Sequence, residues 1–321
     1  MSLLEVQELS VSFATADGVV QAVRGVSFGV EPGRTLGIVG ESGSGKSVAT
    51  QTLLALTQGA RVSGRALFRG RDLLTMQAEE LRRVRGAEIG MIFQDPLSSL
   101  HPQYRVGWQI VEAIQAHEPI SKRDARSRAI ELLGRVGIPQ PARRVDDYPH
   151  QFSGGMRQRA MIAMAISLNP KLLIADEPTT ALDVTVQAQI VDLLKTLQRE
   201  FGTAIIMITH DLGVLRGIAD QVMVMYAGKA MERGSRESVY GRPYHPYTRG
   251  LIAALPRRSG PKARLTPIAG LPPSLIRPPA GCPFHPRCPL VFDRCRSEVP
   301  PLAEVEPDHV SACWLQEASR G

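Results

Sequence analysis

The stretch GESGSGKS, Gly40 to Ser47, fits G-x-x-x-x-G-K-[ST] and directly follows the apolar run TLGIV. Glycines at this spacing let the backbone turn its N–H groups inward around phosphate oxygens. A helix opening behind the loop adds the positive end of its dipole. Lys46 is then expected to reach the β- and γ-phosphates of a nucleoside triphosphate, and the Ser47 hydroxyl to ligate Mg²⁺. A second run, KLLIADEPTTALD, carries an apolar strand into Asp176 and Glu177. A strand-end carboxylate beside a phosphate loop holds Mg²⁺, which assigns the metal to Asp176. Glu177 is expected to face the γ-phosphate and polarise the attacking water as general base. Side chains alternate along a strand, and that alternation is expected to separate the two roles. Gln94 follows the run IGMIF, where its amide would touch metal or water. His210 follows TAIIMIT, where a neutral imidazole would hydrogen-bond the γ-phosphate or the water.

FSGGMRQR, Phe152 to Arg159, opens a helical stretch. Ser153 followed by Gly154 and Gly155 offers a hydroxyl and free N–H groups at a helix start, an anion-binding arrangement. A second phosphate-directed loop makes sense if two copies pack head to tail. The Ser-Gly-Gly of one would then face the γ-phosphate held by the other, and hydrolysis would open the interface. The four cysteines of the chain, Cys282, Cys288, Cys295 and Cys313, all lie in its last part. Their spacing is not that of common zinc ribbons. Four thiolates still hold Zn²⁺ or an iron–sulfur cluster, and the spacing does not choose between them. A metal would supply the folding energy that a small proline-rich module lacks.

The elements that must hold these residues follow from the hydrophobic pattern. Over about the first 240 residues, short apolar runs alternate with amphipathic helical stretches, which argues a mostly parallel sheet covered by helices. The opening LLEVQELSVSF alternates and is expected to form an antiparallel sheet. Residues 95–150 read as helices, VGWQIVEAIQAH and SKRDARSRAIELLGRVG, with no strand between them. From residue 241 prolines recur every few residues, and the segment is expected to resist regular structure. The expected fold is therefore an α/β core over 1–94 and 151–240, with an antiparallel β subdomain. A helical subdomain over 95–150 is inserted in it, running into the Ser153 helix to about 170. A Cys-rich extension over 241–321 completes the chain.

Composition excludes several classes. Of 321 residues 43% are hydrophobic, an ordinary globular share. No apolar run of membrane-spanning length occurs, and MSLLEVQELSVSF lacks the basic-then-apolar pattern of a signal peptide, so the cytoplasm is expected. The formal net charge is +7 without any run of five basic residues, which fits a moderately basic surface rather than a nucleic-acid binder. Cysteines in that compartment are metal ligands or free thiols rather than disulfides.

The ordered set GESGSGKS, FQDP, FSGGMRQR, LLIADEP, TALD and THD resembles the nucleotide-binding subunit of an ATP-binding cassette (ABC) transporter, over residues 1 to about 240. The resemblance implies that Gly40, Glu41, Ser42, Gly43, Ser44, Gly45, Lys46, Ser47 and the adjoining Val48 hold ATP phosphates. It makes Gln94 the Q-loop residue, a ligand of Mg²⁺ together with Ser47 and Asp176. Ser153, Gly154, Gly155, Met156 and Gln158 become the signature loop acting on a partner's nucleotide, with Asp183 in the adjoining D-loop. Glu177 becomes the catalytic base and His210 the switch histidine. Phe13 takes the place of the aromatic that stacks on adenine, where many members have Tyr. His101 in SSLHP stands where Asn is common, with no consequence expected for catalysis.

The runs DPLSSLHPQYRVGWQI, ADEPTTALDVTVQAQI, VMYAGKAME and PYHPYT resemble the dipeptide/oligopeptide importer ATPases, and Met156 with IAGLPP their D-type subunit. That implies an F-type ATPase partner, two membrane-spanning permease subunits and an extracytoplasmic peptide-binding protein, with this chain on the cytoplasmic membrane face. PAGCPFHPRC resembles a C-terminal motif that in some members holds a [4Fe–4S] cluster, which carries that expectation to the four cysteines, with Zn²⁺ as the alternative. An importer for nickel or another small solute is the alternative cargo reading. A DNA-maintenance ATPase would need a long coiled coil between Ser47 and Ser153, and that stretch is short and without sustained heptads.

Overall fold

The structure, a computed structural model, describes residues 2–180, 182–255 and 268–318. Ala181 of the TALD motif and the proline-rich run beyond Leu255 fall outside them. The strands are β1 Leu4–Thr15, β2 Gly18–Val30, β3 Thr35–Val39, β4 Ala60–Phe68, β5 Arg71–Asp72 and β6 Ile89–Ile92. They continue with β7 Leu172–Asp176, β8 Ala204–Thr209, β9 Gln221–Tyr226, β10 Lys229–Ser235, β11 Ala303–Glu306 and β12 His309–Ser311. The chain divides into two compact units, one of Met1–Val30, Thr35–Thr75 and Thr209–Gly321, the other of Glu31–Arg34 and Met76–Ile208.

In the first unit, β1 lies between β2 and β4 in an antiparallel sheet that β5 completes. Leu4, Val6, Leu9 and Val11 of β1 are buried. A register shift between Val6 and Leu9, with Glu8 at φ 47°, returns Leu9 to the buried face that strict alternation would have denied it. A second sheet in this unit runs β11-β12-β10-β9-β3, with β3 and β9 parallel and the other pairs antiparallel. Every residue of β3 is buried, which explains its unbroken apolar reading as a strand covered on both faces.

The expectation that the tail resists regular structure holds for residues 268–292, which form no helix or strand beyond the turn His285–Arg287, and is corrected on either side of them. Helices span Pro246–Ala253 and Asp293–Ser297, and β12 joins the sheet against β10. Pro246 opens its helix, a position where a missing N–H is harmless. What fixes β12 is a buried carboxylate. Glu232 of β10 is wholly buried, and its oxygens accept the backbone N–H groups of Tyr244 at 2.7 Å and His245 at 2.9 Å. Nε2 of His309 completes the set at 2.8 Å from Oε1. A buried carboxylate needs this number of partners, and they tie β12 and the 244–245 turn to one point.

In the second unit, β8, β7 and β6 form a parallel sheet in that order. Between β6 and β7 the chain is helical without a strand. The helix Val106–Gln115 buries Val106, Ile110 and Ile114, and Lys122–Arg135 buries Ala125, Ala129, Leu132 and Leu133. Both follow the 3.6-residue period. Ser121 caps the second of them, its Oγ accepting from the Asp124 N–H at 3.1 Å. Among the described residues no helix is long and apolar enough to cross a membrane.

Candidate functional site

The loop Gly40–Gly45 lies in the first unit between β3 and the helix Lys46–Leu53. Two of its glycines are sterically required. A Cβ on Gly40 would sit 2.1 Å from the Met225 carbonyl oxygen, and one on Gly45 would sit 2.2 Å from that of Ala22. Gly45 also has φ 96°, which L side chains rarely adopt. Lys46 is buried, and its Nζ donates to the carbonyls of Gly40 at 2.8 Å and Glu41 at 3.0 Å. The ammonium is thus held inside the curl of the loop. Ser44 and Gly45 are buried, Ser47 and Val48 half-buried, and Ser42 and Gly43 exposed. Phe13 of β1 is half-buried, paired with Val20 of β2 and Ala60 of β4. His210 is exposed just after β8, followed by Asp211, whose carboxylate caps the next turn by accepting from the Gly213 N–H at 2.7 Å.

The carboxylates lie in the second unit. Asp176 ends β7 and is buried. Glu177 lies beyond the strand at φ 47°, so a left-handed turn, rather than strand alternation, sends it in a different direction. Its backbone N–H donates to the Ile208 carbonyl at 2.9 Å, which anchors the turn to β8. Two side chains hold the Glu177 carboxylate at the same oxygen, Oε2. Gln94 Nε2 donates to it at 3.2 Å and Thr180 Oγ1 at 2.8 Å. The structure therefore brings Gln94 and Glu177 together, and adds Thr180, which sequence reasoning passed over as part of PTT.

Ser153 is the N-cap of the helix Gly154–Ala165, its Oγ accepting from the Met156 N–H at 3.3 Å. Ser153 and Gly154 are exposed and Gly155 and Met156 half-buried, whereas Gln158 is 2% exposed and turns inward. A Cβ on Gly155 would come 3.1 Å from Val186 Cγ1, so the first turns of the helices Gly154–Ala165 and Val184–Phe201 touch. Asp183 caps the latter, accepting from the Val186 N–H at 2.9 Å. Val184 beside it is 81% exposed, so an apolar side chain stands out next to the signature loop.

The four cysteines are free thiols, and all four border one cavity of about 10 Å³, with His245, His285 and Trp314 also on its wall. Burial pushes Cys282 up to about 12 and Cys313 up to about 11, and raises Cys288 as well. Such thiols stay neutral unless a cation meets them. The donor chemistry therefore fits a thiolate-ligated metal. With the thiols as they stand, the cavity has room for about one water-sized sphere. Among the described residues no group of three or more His, Cys, Asp or Glu side chains is drawn together as a metal-binding set. The iron–sulfur expectation thus receives no support from the arrangement of the side chains.

Two further side chains reach the phosphate loop from the C-terminal part of the same unit. Tyr247 Oη accepts the Glu41 N–H at 2.9 Å, and Arg287 pairs with the Glu41 carboxylate at 2.7 Å. Both stand in runs, PYHPYT and CPFHPRC, that the sequence tied to the family and to the cysteines but in which neither residue itself carried a role. No local signal connects them with a loop some two hundred residues away.

A family model described as ABC transporter matches residues 23–180, and one described as Oligopeptide/dipeptide transporter, C-terminal region, matches residues 231–295. The chain is similar to the oligopeptide transport ATP-binding protein OppD of Salmonella typhimurium, 52% identical over 97% of this chain and 93% of the relative. It is 51% identical to the dipeptide transport ATP-binding protein DppD of Bacillus subtilis, over 98% of this chain and 95% of that one. Among solved structures, the dimeric ATP-binding cassette MJ0796 bound to ADP and Pi is 26% identical with a TM-score of 0.66, over 73% of this chain and 98% of that one. CbiO1 of Clostridium perfringens is 29% identical with a TM-score of 0.64, over 75% and 91%.

Proposed function

The chain belongs to the ATP-binding subunits of ABC transporters, and on that premise we propose that it hydrolyses ATP to power import of dipeptides and oligopeptides. The observation that carries the cargo class is the likeness to peptide-transport ATP-binding proteins. It runs through nearly the whole chain, the proline- and cysteine-rich end included. The test is uptake. Cells in which this chain is disrupted should lose import of labelled di- and oligopeptides; unimpaired peptide uptake with loss of nickel import would overturn the peptide reading.

The proposed residue roles rest on the family resemblance. The amides of Gly40–Ser47 and the Lys46 ammonium bind the phosphates, while Phe13 stacks on the base. Ser47, Asp176 and Gln94 hold Mg²⁺, which neutralises phosphate charge when bound. Glu177, oriented by Gln94 and Thr180, takes the proton of the attacking water, and His210 steadies that water or the γ-phosphate. Ser153 to Met156, with Asp183, serve the nucleotide of a second ATPase subunit. The exposed Ser153 hydroxyl and Val184 side chain favour such an interface, whereas the buried Gln158 supports the helix from within.

The α/β core is assigned to 1–94 and 151–240 and the extension to 241–321. The helical segment 95–150 is the surface for two permease subunits at the cytoplasmic membrane face. A peptide-binding protein on the other side completes the assembly.

The cavity-lining thiols of Cys282, Cys288, Cys295 and Cys313 are assigned to a metal centre, a [4Fe–4S] cluster by the family likeness. Metal analysis of protein purified without oxygen is expected to give about four irons per chain. Stoichiometric zinc would replace the cluster by Zn²⁺, and neither metal would sink the centre.

A further inference from the structure

We infer that Arg287, carried by the cysteine-rich tail, is a positioning residue for the phosphate loop and sets its affinity for nucleotide. The inference rests on the reading that Gly40–Ser47 binds nucleotide phosphates. Arg287 ends a turn, His285–Arg287, between Cys282 and Cys288. Its side chain is 6% exposed. A guanidinium has five N–H donors, and Arg287 has five acceptors around it. Nη1 donates to Glu41 Oε2 at 2.7 Å and to Tyr226 Oη at 3.2 Å. Nη2 donates to Glu41 Oε1 at 3.1 Å and to the Ile268 carbonyl at 3.2 Å. Nε donates to the Ala269 carbonyl at 2.8 Å. A fork satisfied on every prong in a dry setting has one orientation.

Glu41 is the second residue of the phosphate loop and is held from both ends. Its carboxylate receives the fork, and its backbone N–H donates to Tyr247 Oη. Phe284, also between Cys282 and Cys288, packs on Tyr226 and Tyr247 with ring centroids 5.3 Å away in each case. The Glu41 carbonyl in turn accepts from Lys46 Nζ at 3.0 Å. The tail thus reaches the loop at a residue that directly contacts Lys46, the side chain assigned to phosphate.

Charge gives the contact a sign. A carboxylate on a phosphate-binding loop repels its ligand unless a cation neutralises it. Arg287 does so through a side chain that is itself buried. Removing Arg287 leaves Glu41 half-buried and unpaired, so the loss should fall on nucleotide binding and be relieved by neutralising Glu41.

The experiment measures binding of a non-hydrolysable ATP analogue to the purified full chain as wild type, R287A, R287K, E41Q and R287A/E41Q. R287A is expected to bind about tenfold more weakly, with KM for ATP rising in step and kcat changed less than about twofold. R287K keeps the charge without the fork and should fall between the two. R287A/E41Q should bind more tightly than R287A alone. Unchanged binding in R287A, or losses that simply add in R287A/E41Q, would overturn the inference. If R287A fails to fold, R287K decides in the same way, with weaker binding relieved by E41Q in support and wild-type binding against. A wild-type chain that binds no nucleotide would instead remove the reading of the loop itself, and the inference with it.

Discussion

The variant Lys46→Ala is expected to lose ATP binding by about 10²-fold or more, and hydrolysis with it. Lys46 is 4% exposed and its ammonium sits among the carbonyls of Gly40 and Glu41. A cation so enclosed is desolvated and prepositioned, so transferring it to phosphate oxygens costs little reorganisation. Alanine removes that charge and leaves the two carbonyls without that donor at the centre of the loop. Equilibrium binding of the analogue used above measures the loss. Binding within a few-fold of wild type would mean that phosphates are held elsewhere.

The second large effect separates binding from chemistry. Glu177→Gln is expected to cut turnover by about 10²- to 10⁴-fold while ATP binds within a few-fold of wild type. The amide matches the carboxylate in shape and keeps an oxygen for the donors at Gln94 and Thr180, so the left-handed turn at 177 should persist. What it loses is the capacity to accept a proton from water. Single-turnover hydrolysis beside equilibrium binding reads the two quantities apart. A variant that hydrolyses at the normal rate would move the general base to another residue, with His210 the next to examine.

The features that were legible in the sequence are those whose requirements are local. Gly40 and Gly45 are demanded by backbone oxygens a Cβ would strike, and the resulting spacing with Lys46 is visible in eight letters. The largely apolar β3 and β8 announce strands covered on both faces for a similar reason. Where long-range pairing decides, local pattern fails. His309 belongs to a three-residue strand that exists because Glu232, 77 positions earlier, is buried and needs a partner. Strand alternation was the wrong reason for separating Asp176 from Glu177, since a positive φ at 177 ends the alternation. Arg287 and Tyr247 escaped for a related cause. Each reads as one more polar residue among prolines, and its role appears only when the tail packs against the loop.

The measurement that tests the central claim most directly is ATP hydrolysis by the assembled transporter, carrying either wild-type chain or E177Q, with and without peptide-loaded binding protein. The account predicts that peptide raises hydrolysis with the wild-type chain and that E177Q abolishes the rise while still binding ATP. Hydrolysis that ignores peptide, or a rise that persists undiminished in E177Q, would contradict it.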